Sequence, residues 1–154
     1  GLDVAQGSAT ELPFDDASFD VACSFKVLAH IPEVDRALAE MARVVRPGGH
    51  VIAEFYNPYS LRALAKRAFG PREVGAQLKE DGVFTRFDSP AAALGRAPAG
   101  TELVATRGIR IVTPAAMAMR VPVVRDVLRV AEHALADGPL ARVAGFFVVV
   151  WRKR

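Results

Sequence analysis

The sequence predicts an α/β protein built on a mostly parallel sheet, and three observations carry that expectation. Short apolar runs alternate with helix-period segments along the 154 residues. Within 19–56 a strand, a helix and a second strand are joined by short links, as in a parallel βαβ unit. The run at 19–25 carries too few charges to alternate in and out, which suits a strand covered on both faces. Composition agrees: 51% hydrophobic and 24% charged residues, with mean hydropathy +0.20, suit one packed domain and exclude a disordered chain.

Taken in order, 2–5 reads as a short strand ended by Gly7-Ser8, and 11–16 as a loop of turn formers. After the strand at 19–25, Val34, Ala37, Leu38, Met41, Val44 and Val45 fall on one stripe of a helix over 33–46. Pro32 sits where a helix can begin; Pro47-Gly48-Gly49 stops it, with Gly48 at positive φ, and 51–56 comes next as a strand. Asn57 caps a helix expected over 58–69, followed by a short helix at 73–79 and a loop or strand at 83–87. Ser89-Pro90 is an N-cap with proline in the first turn of a helix ending near Gly95, and 97–100 is a turn. Residues 103–112 read as a strand with Gly108 a bulge. Residues 121–137 read as a helix with Val124, Val127, Leu128, Ala131 and Leu135 on one face, stopped by Gly138-Pro139, and 145–151 is the last strand.

Other classes are set aside on charge and residue type. Lys+Arg 20 against Asp+Glu 17 gives +3, part of it in Arg152-Lys153-Arg154, too little to argue for nucleic acid. The basic face of Arg62, Lys66 and Arg67 reads as solvated. One cysteine, Cys23, gives no disulfide framework, and inside an apolar strand it reads as packing. His30, His50 and His133 are too scattered for a metal set, so no metal is expected. Ser24 lacks the glycine context of a hydrolase elbow, and Asp15-Asp16 reads as a solvated turn. No run approaches a membrane span and no leader pattern is visible, so a cytoplasmic location is expected.

Two stretches say more. Gly7-Ser8-Ala9-Thr10-Glu11-Leu12-Pro13-Phe14 leads into Asp15-Asp16-Ala17-Ser18-Phe19-Asp20. Val27-Leu28-Ala29-His30-Ile31 precedes Ala39-Glu40-Met41-Ala42-Arg43-Val44-Val45-Arg46-Pro47-Gly48-Gly49. In this order and spacing they resemble the middle of class I S-adenosylmethionine (SAM)-dependent methyltransferases, in the small-molecule, type 11-like branch. The resemblance is close over 1–60 and holds in layout beyond. It implies a Rossmann-like sheet, with the 19–25 strand beside 51–56, then 146–151 antiparallel, then 103–112 at the edge. It also implies a SAM cofactor and a small-molecule methyl acceptor.

Ligands of open α/β sheets sit beyond the carboxyl ends of the strands. By the resemblance, Ser8 and Ala9 stand where the family holds adenine, Ser8 replacing the usual acid. Ser24, Phe25 and Lys26 would lie beside the methionine portion and the reactive methyl. His30 is a candidate general base; taken alone, it reads more readily as a histidine fixing the start of the next helix. Tyr56, Tyr59 and Phe69 would border an acceptor pocket, with core packing the other reading of Phe69. The family's opening strand with its Gly-x-Gly-x-Gly turn, and the second strand ending in an acid, have no match in this sequence. The expectation is a chain truncated at the N-terminus, missing the first two βα units. Residues 1–154 would then be the C-terminal part of one domain, with 58–100 its variable lid, and inactive alone. The alternative from another class is a non-catalytic α/β interaction module derived from a methyltransferase. A nicotinamide dehydrogenase ranks third, its glycine fingerprint being equally absent.

Overall fold

The computed structural model describes residues 3–60, 63, 84–113 and 120–154. Among these, four strands form one sheet: β1 (Phe19–Ser24), β2 (Val45–Tyr56), β3 (Thr101–Ile109) and β4 (Phe146–Lys153), in the order β1-β2-β4-β3. β1 and β2 are parallel, whereas β4 runs antiparallel to both β2 and β3. Three strands therefore point one way and the last points against them, in the order the resemblance implied. The described helices are α1 (Val34–Val44), α2 (Pro90–Gly95) and α3 (Pro122–Leu135).

The α1 stripe explains the core. Val34, Ala37, Leu38 and Met41 are buried in one cluster with Val51, Ala53 and Phe55 of β2 and Phe147, Val149 and Trp151 of β4. These strand residues recur with period two, so each strand turns one face to the cluster. Trp151 is fully buried and stands edge-on to Phe55, ring centroids 6.3 Å apart. Asp35 in the first turn and Arg43 in the last complement the α1 dipole. α2 begins as expected: the Ser89 hydroxyl accepts from Ala92 N, and Pro90 opens the helix.

Several expectations are corrected. α1 ends at Val44, not 46, because Val45 already pairs with Phe19 of β1. The next pair is Val21 with His50, so the residues between Val45 and His50 loop out of the ladder. Gly48 sits there at φ +83°, and a Cβ on it would meet nothing within 4 Å. Gly48→Val should therefore cost more than about 1 kcal/mol through backbone strain alone. An unchanged melting temperature would show that the turn relaxes freely.

Asp3 to Ala5 form no strand, and Val4 is 92% exposed. A short apolar stretch becomes a strand only where a ladder takes it up, and none does. β1 is not covered on both faces: it is an edge strand among the described residues, with Phe19 38% and Val21 47% exposed. At 83–87, read as a loop or a strand, the loop reading holds for Phe84 to Phe87, the stretch being bonded to neighbouring segments through Arg86 N to Ala29 O (2.8 Å) and Asp88 N to Tyr56 O (2.9 Å). The irregularity in β3 lies between Leu103 and Ala105, not at Gly108. Gly108 pairs in register with Phe147, and a Cβ there would lie 2.7 Å from Ala141 Cα, so its bareness serves close packing. β3 stops at Ile109 because Arg110 turns to φ +60°. The expected helix at 73–79 lies outside the described residues, as do Phe69 and all of 58–69 beyond 58–60 and 63.

Candidate functional site

The loop holding Ser8 and Ala9 is shaped by a tight turn. Glu11 N donates to Ser8 O (3.1 Å) and Thr10 N to the Ser8 hydroxyl (3.2 Å), which also bonds the Thr10 hydroxyl at 2.9 Å. A clasp from α1 pins the adjoining stretch from Leu12 to Asp16. Glu40 Oε2 accepts Leu12 N at 2.8 Å. The Arg43 guanidinium donates to both Glu40 oxygens, to Leu12 O, to Phe14 O and to Asp16. The Arg43 bonds, with that from Leu12 N, pull the Glu40 carboxyl down to about 2 from its ordinary 4.5. The unfolded chain therefore takes up this proton at a higher pH than the folded one, and the clasp's contribution is lost as pH falls from 4.5 toward 2. Glu40→Gln should melt below the wild type at pH 6–7, with the gap closing on acidification through that window; a gap undiminished at the acid end would refute the assignment.

Between this loop, β1 and α1 lies an apolar cavity of about 330 Å³. Ala9, Leu12, Phe14, Ser24, Leu28 and Met41 are among its walls. Two candidates from separate stretches of sequence, Ala9 and Ser24, thus meet on one cavity. Ser8 and Phe25 are not on its lining, and the Ser8 hydroxyl is engaged within its own turn.

Lys26, His30 and Tyr56 gather at a second place, where β2 ends at Tyr56 and β4 starts at Phe146. Lys26 has left-handed backbone (φ +59°), and its Nζ stands 5.6 Å over the Phe146 ring. Tyr56 packs on Phe146 (5.1 Å between centroids), on Phe87 (6.1 Å) and against His30 (5.8 Å). His30 Nδ1 lies 2.9 Å from Phe84 O. A carbonyl only accepts, so Nδ1 is the donor in this bond and the free nitrogen of the ring is Nε2. His30 thus ties Phe84 to the Leu28–His30 turn and still presents a basic nitrogen.

Four polar residues position this edge; the sequence singled out Asn57 as a cap, and gave Glu54, Arg86 and Glu132 no role. Glu54 is buried, 4% exposed, and accepts Lys26 N at 3.1 Å. Asn57 Nδ2 donates to Arg142 O (2.7 Å) and Ala144 O (3.0 Å), joining the end of β2 to the segment before β4. Arg86 donates to Leu28 O and Ile31 O. Glu132 on α3 accepts from the backbone N–H groups of Ile111, Val112 and Thr113 at 2.8–3.0 Å, fixing the helix beside the end of β3. Burial raises the Glu132 carboxyl, but these bonds outweigh it and hold it low. An acid inside Val51-Ile52-Ala53-Glu54-Phe55-Tyr56 was a visible signal, since a charge within an apolar strand needs a partner. Among the described residues no group of three or more acidic, histidine or cysteine side chains could hold a metal, and no helix is long and apolar enough to cross a membrane.

An open sheet with β1, β2 and β3 codirectional and β4 reversed between β2 and β3 is a Rossmann-like arrangement. Residues 1–53 match the family described as "Methyltransferase domain". Over that stretch, about a third of the chain, the sequence is similar to methyltransferases. It is 35% identical over 86 residues to a phthiotriol/phenolphthiotriol dimycocerosates methyltransferase of Mycobacterium ulcerans, covering 51% of this chain and 32% of that protein. It is 38% identical over 65 residues to a ubiquinone/menaquinone biosynthesis C-methyltransferase of Brucella anthropi, covering 42% and 25%. The chain thus spans about a third or less of the length of these curated relatives. In fold it is similar to a solved SAM-dependent methyltransferase of Thermotoga maritima, with TM-score 0.70 and 21% identity, covering all of this chain and 65% of that one.

Proposed function

We propose that residues 1–154 are the C-terminal part of a methyltransferase domain that transfers the methyl group of SAM to an apolar small-molecule acceptor, with 58–100 as its variable lid and the cytoplasm as its location. The observation that carries this reading is the cavity where the family-matched stretch brings Ala9 and Ser24 together. Its apolar walls suit the adenine end of the cofactor. No carboxylate for the ribose hydroxyls stands on its lining. When bound, SAM supplies an electrophilic sulfonium methyl. The protein's work is then to hold, align and exclude water. In this reading His30, which packs against Tyr56, takes a proton from the acceptor. The apolar character of the acceptor is supported by the half-exposed rings of Phe25, Phe84 and Phe87, and by relatives named for lipid and quinone methylation.

Charge-assisted bonds to ribose hydroxyls contribute roughly 1.5–3 kcal/mol each. Without them the 154-residue chain should bind S-adenosylhomocysteine at about millimolar strength. NMR titration tests this: the amides of Ala9, Leu12 and Ser24 should shift saturably, and Ala9→Trp, which fills the cavity, should abolish the shifts. The alternative of a non-catalytic interaction module is favoured by the exposed apolar edge of β1. It takes over if those amides do not respond up to about 10 mM ligand.

A further inference from the structure

Lys26 combines two features that call for a joint explanation. Left-handed backbone is unfavourable for a residue with a Cβ, yet Lys26 adopts it at the carboxyl end of β1. Directly behind it a carboxylate is buried in an apolar strand: Glu54 is 4% exposed, and one of its oxygens accepts the Lys26 N–H at 3.1 Å. Burial pushes the Glu54 carboxyl up, while the Lys26 N–H and ammonium pull it back. The two residues compensate each other. The carboxylate holds the strained turn, and the turn brings the ammonium over Phe146, 5.6 Å from the ring centroid. Around it stand Tyr56, Phe87 and His30. A cation beside flat rings, at the sheet edge where ligands bind, suits a planar ligand carrying a negative oxygen.

We propose that Lys26 is the acceptor-binding cation of the methyl-transfer site, positioned by Glu54, and that the acceptor is a hydroxyl on a flat ring, reacting as its oxyanion. This rests on the methyltransferase reading. The hydroxyl proton passes to His30, the base of the methyltransferase reading, and the ammonium steadies the oxyanion that remains. An oxygen lone pair then forms the new C–O bond to the methyl, and the electron pair of the broken C–S bond stays on sulfur, leaving a neutral thioether.

The test uses p-nitrophenol as probe, whose ionisation is read from its absorbance. With the 154-residue chain in excess, the bound phenol should ionise about one pH unit lower than the free one, the scale of a nearby opposite charge. Lys26→Met alters a solvent-exposed side chain and should abolish the shift. Glu54→Gln retains an oxygen acceptor for the Lys26 N–H and should keep most of it, whereas Glu54→Leu should lose it. Circular dichroism identifies any variant that has failed to fold, and Lys26→Met and Glu54→Gln decide the matter if Glu54→Leu does not fold. No shift with the wild type, or a shift that survives Lys26→Met and disappears in His30→Ala, overturns the proposal. The two readings fail separately. S-adenosylhomocysteine perturbing Ala9 and Ser24 while the phenol shows no shift leaves the methyltransferase reading standing without this one. A Lys26-dependent phenol shift without a cofactor response leaves an oxyanion site and removes its link to methyl transfer.

Discussion

Arg86→Ala is expected to lower stability by about 2–3 kcal/mol, the scale of charged hydrogen bonds lost by a carboxylate that keeps a second partner. Arg86 Nε donates to Asp88 Oδ2 at 2.8 Å, Nη1 to Ile31 O at 2.9 Å and Nη2 to Leu28 O at 3.0 Å. Asp88 is only 5% exposed, so without Arg86 its carboxylate keeps Arg96 alone and cannot recover the difference from water. Ile31 O and Leu28 O lose their guanidinium donors in the same change, Leu28 O keeping the backbone N–H of Ile31. For a chain of this size the melting temperature should fall by roughly 10 °C. Arg86→Lys should recover only part, because a single ammonium cannot present the planar fork that reaches a carboxylate and two carbonyls together. The substitution should also release His30 from Phe84 O, since Arg86 holds the segment that presents this carbonyl; the His30 ring signals in NMR would report it. A loss under about 1 kcal/mol would mean that the segment is held by packing instead.

Asn57→Ala should cost roughly 3 kcal/mol, because it strips partners from several buried backbone groups at once. The side chain is 1% exposed. Its amide satisfies Arg142 O and Ala144 O, and its Oδ1 accepts Tyr59 N at 3.0 Å. These bonds join the end of β2 to the stretch that returns from α3 into β4. Asn57→Asp tests the direction of the bonds: it keeps the acceptor for Tyr59 N but turns a carboxylate toward two carbonyls, and should be at least as destabilising. Urea unfolding of both variants measures the effect. An Asn57→Asp protein as stable as the wild type would show that Arg142 O and Ala144 O do not depend on this residue.

The layout was legible in the sequence wherever local rules and burial agreed. The stripe in α1, the Ser89-Pro90 start of α2 and the positive φ of Gly48 follow from chain geometry alone. So does the apolar character of β4, although its central position between β2 and β3 came from the resemblance. Expectations failed where an outcome depended on a neighbour. The strand expected at 2–5 finds no ladder at Asp3 to Ala5. The run at 19–25 suggested two covered faces, and β1 instead lies at the edge of the described sheet. Gly108 looked like a bulge and is a point of close approach to Ala141.

The candidate site divides in the same way. Residue order placed Ser24 at the carboxyl end of β1 and Phe25, Lys26 and His30 just beyond it, because a βαβ pattern puts strand ends there, while Ser8 and Ala9 were placed by the resemblance. Only the tertiary structure separated them, with Ala9 and Ser24 on a cavity and Lys26 and His30 at an aromatic edge. Only it showed that Glu54 lies behind Lys26 and Arg86 against the Leu28–His30 turn. Those pairings join residues 28 and 58 positions apart along the chain. Helix and strand periodicity extends over a few neighbouring residues, whereas a buried charge takes whichever partner the packed chain brings within hydrogen-bond reach. That choice is made only when the segments close on one another and water is excluded.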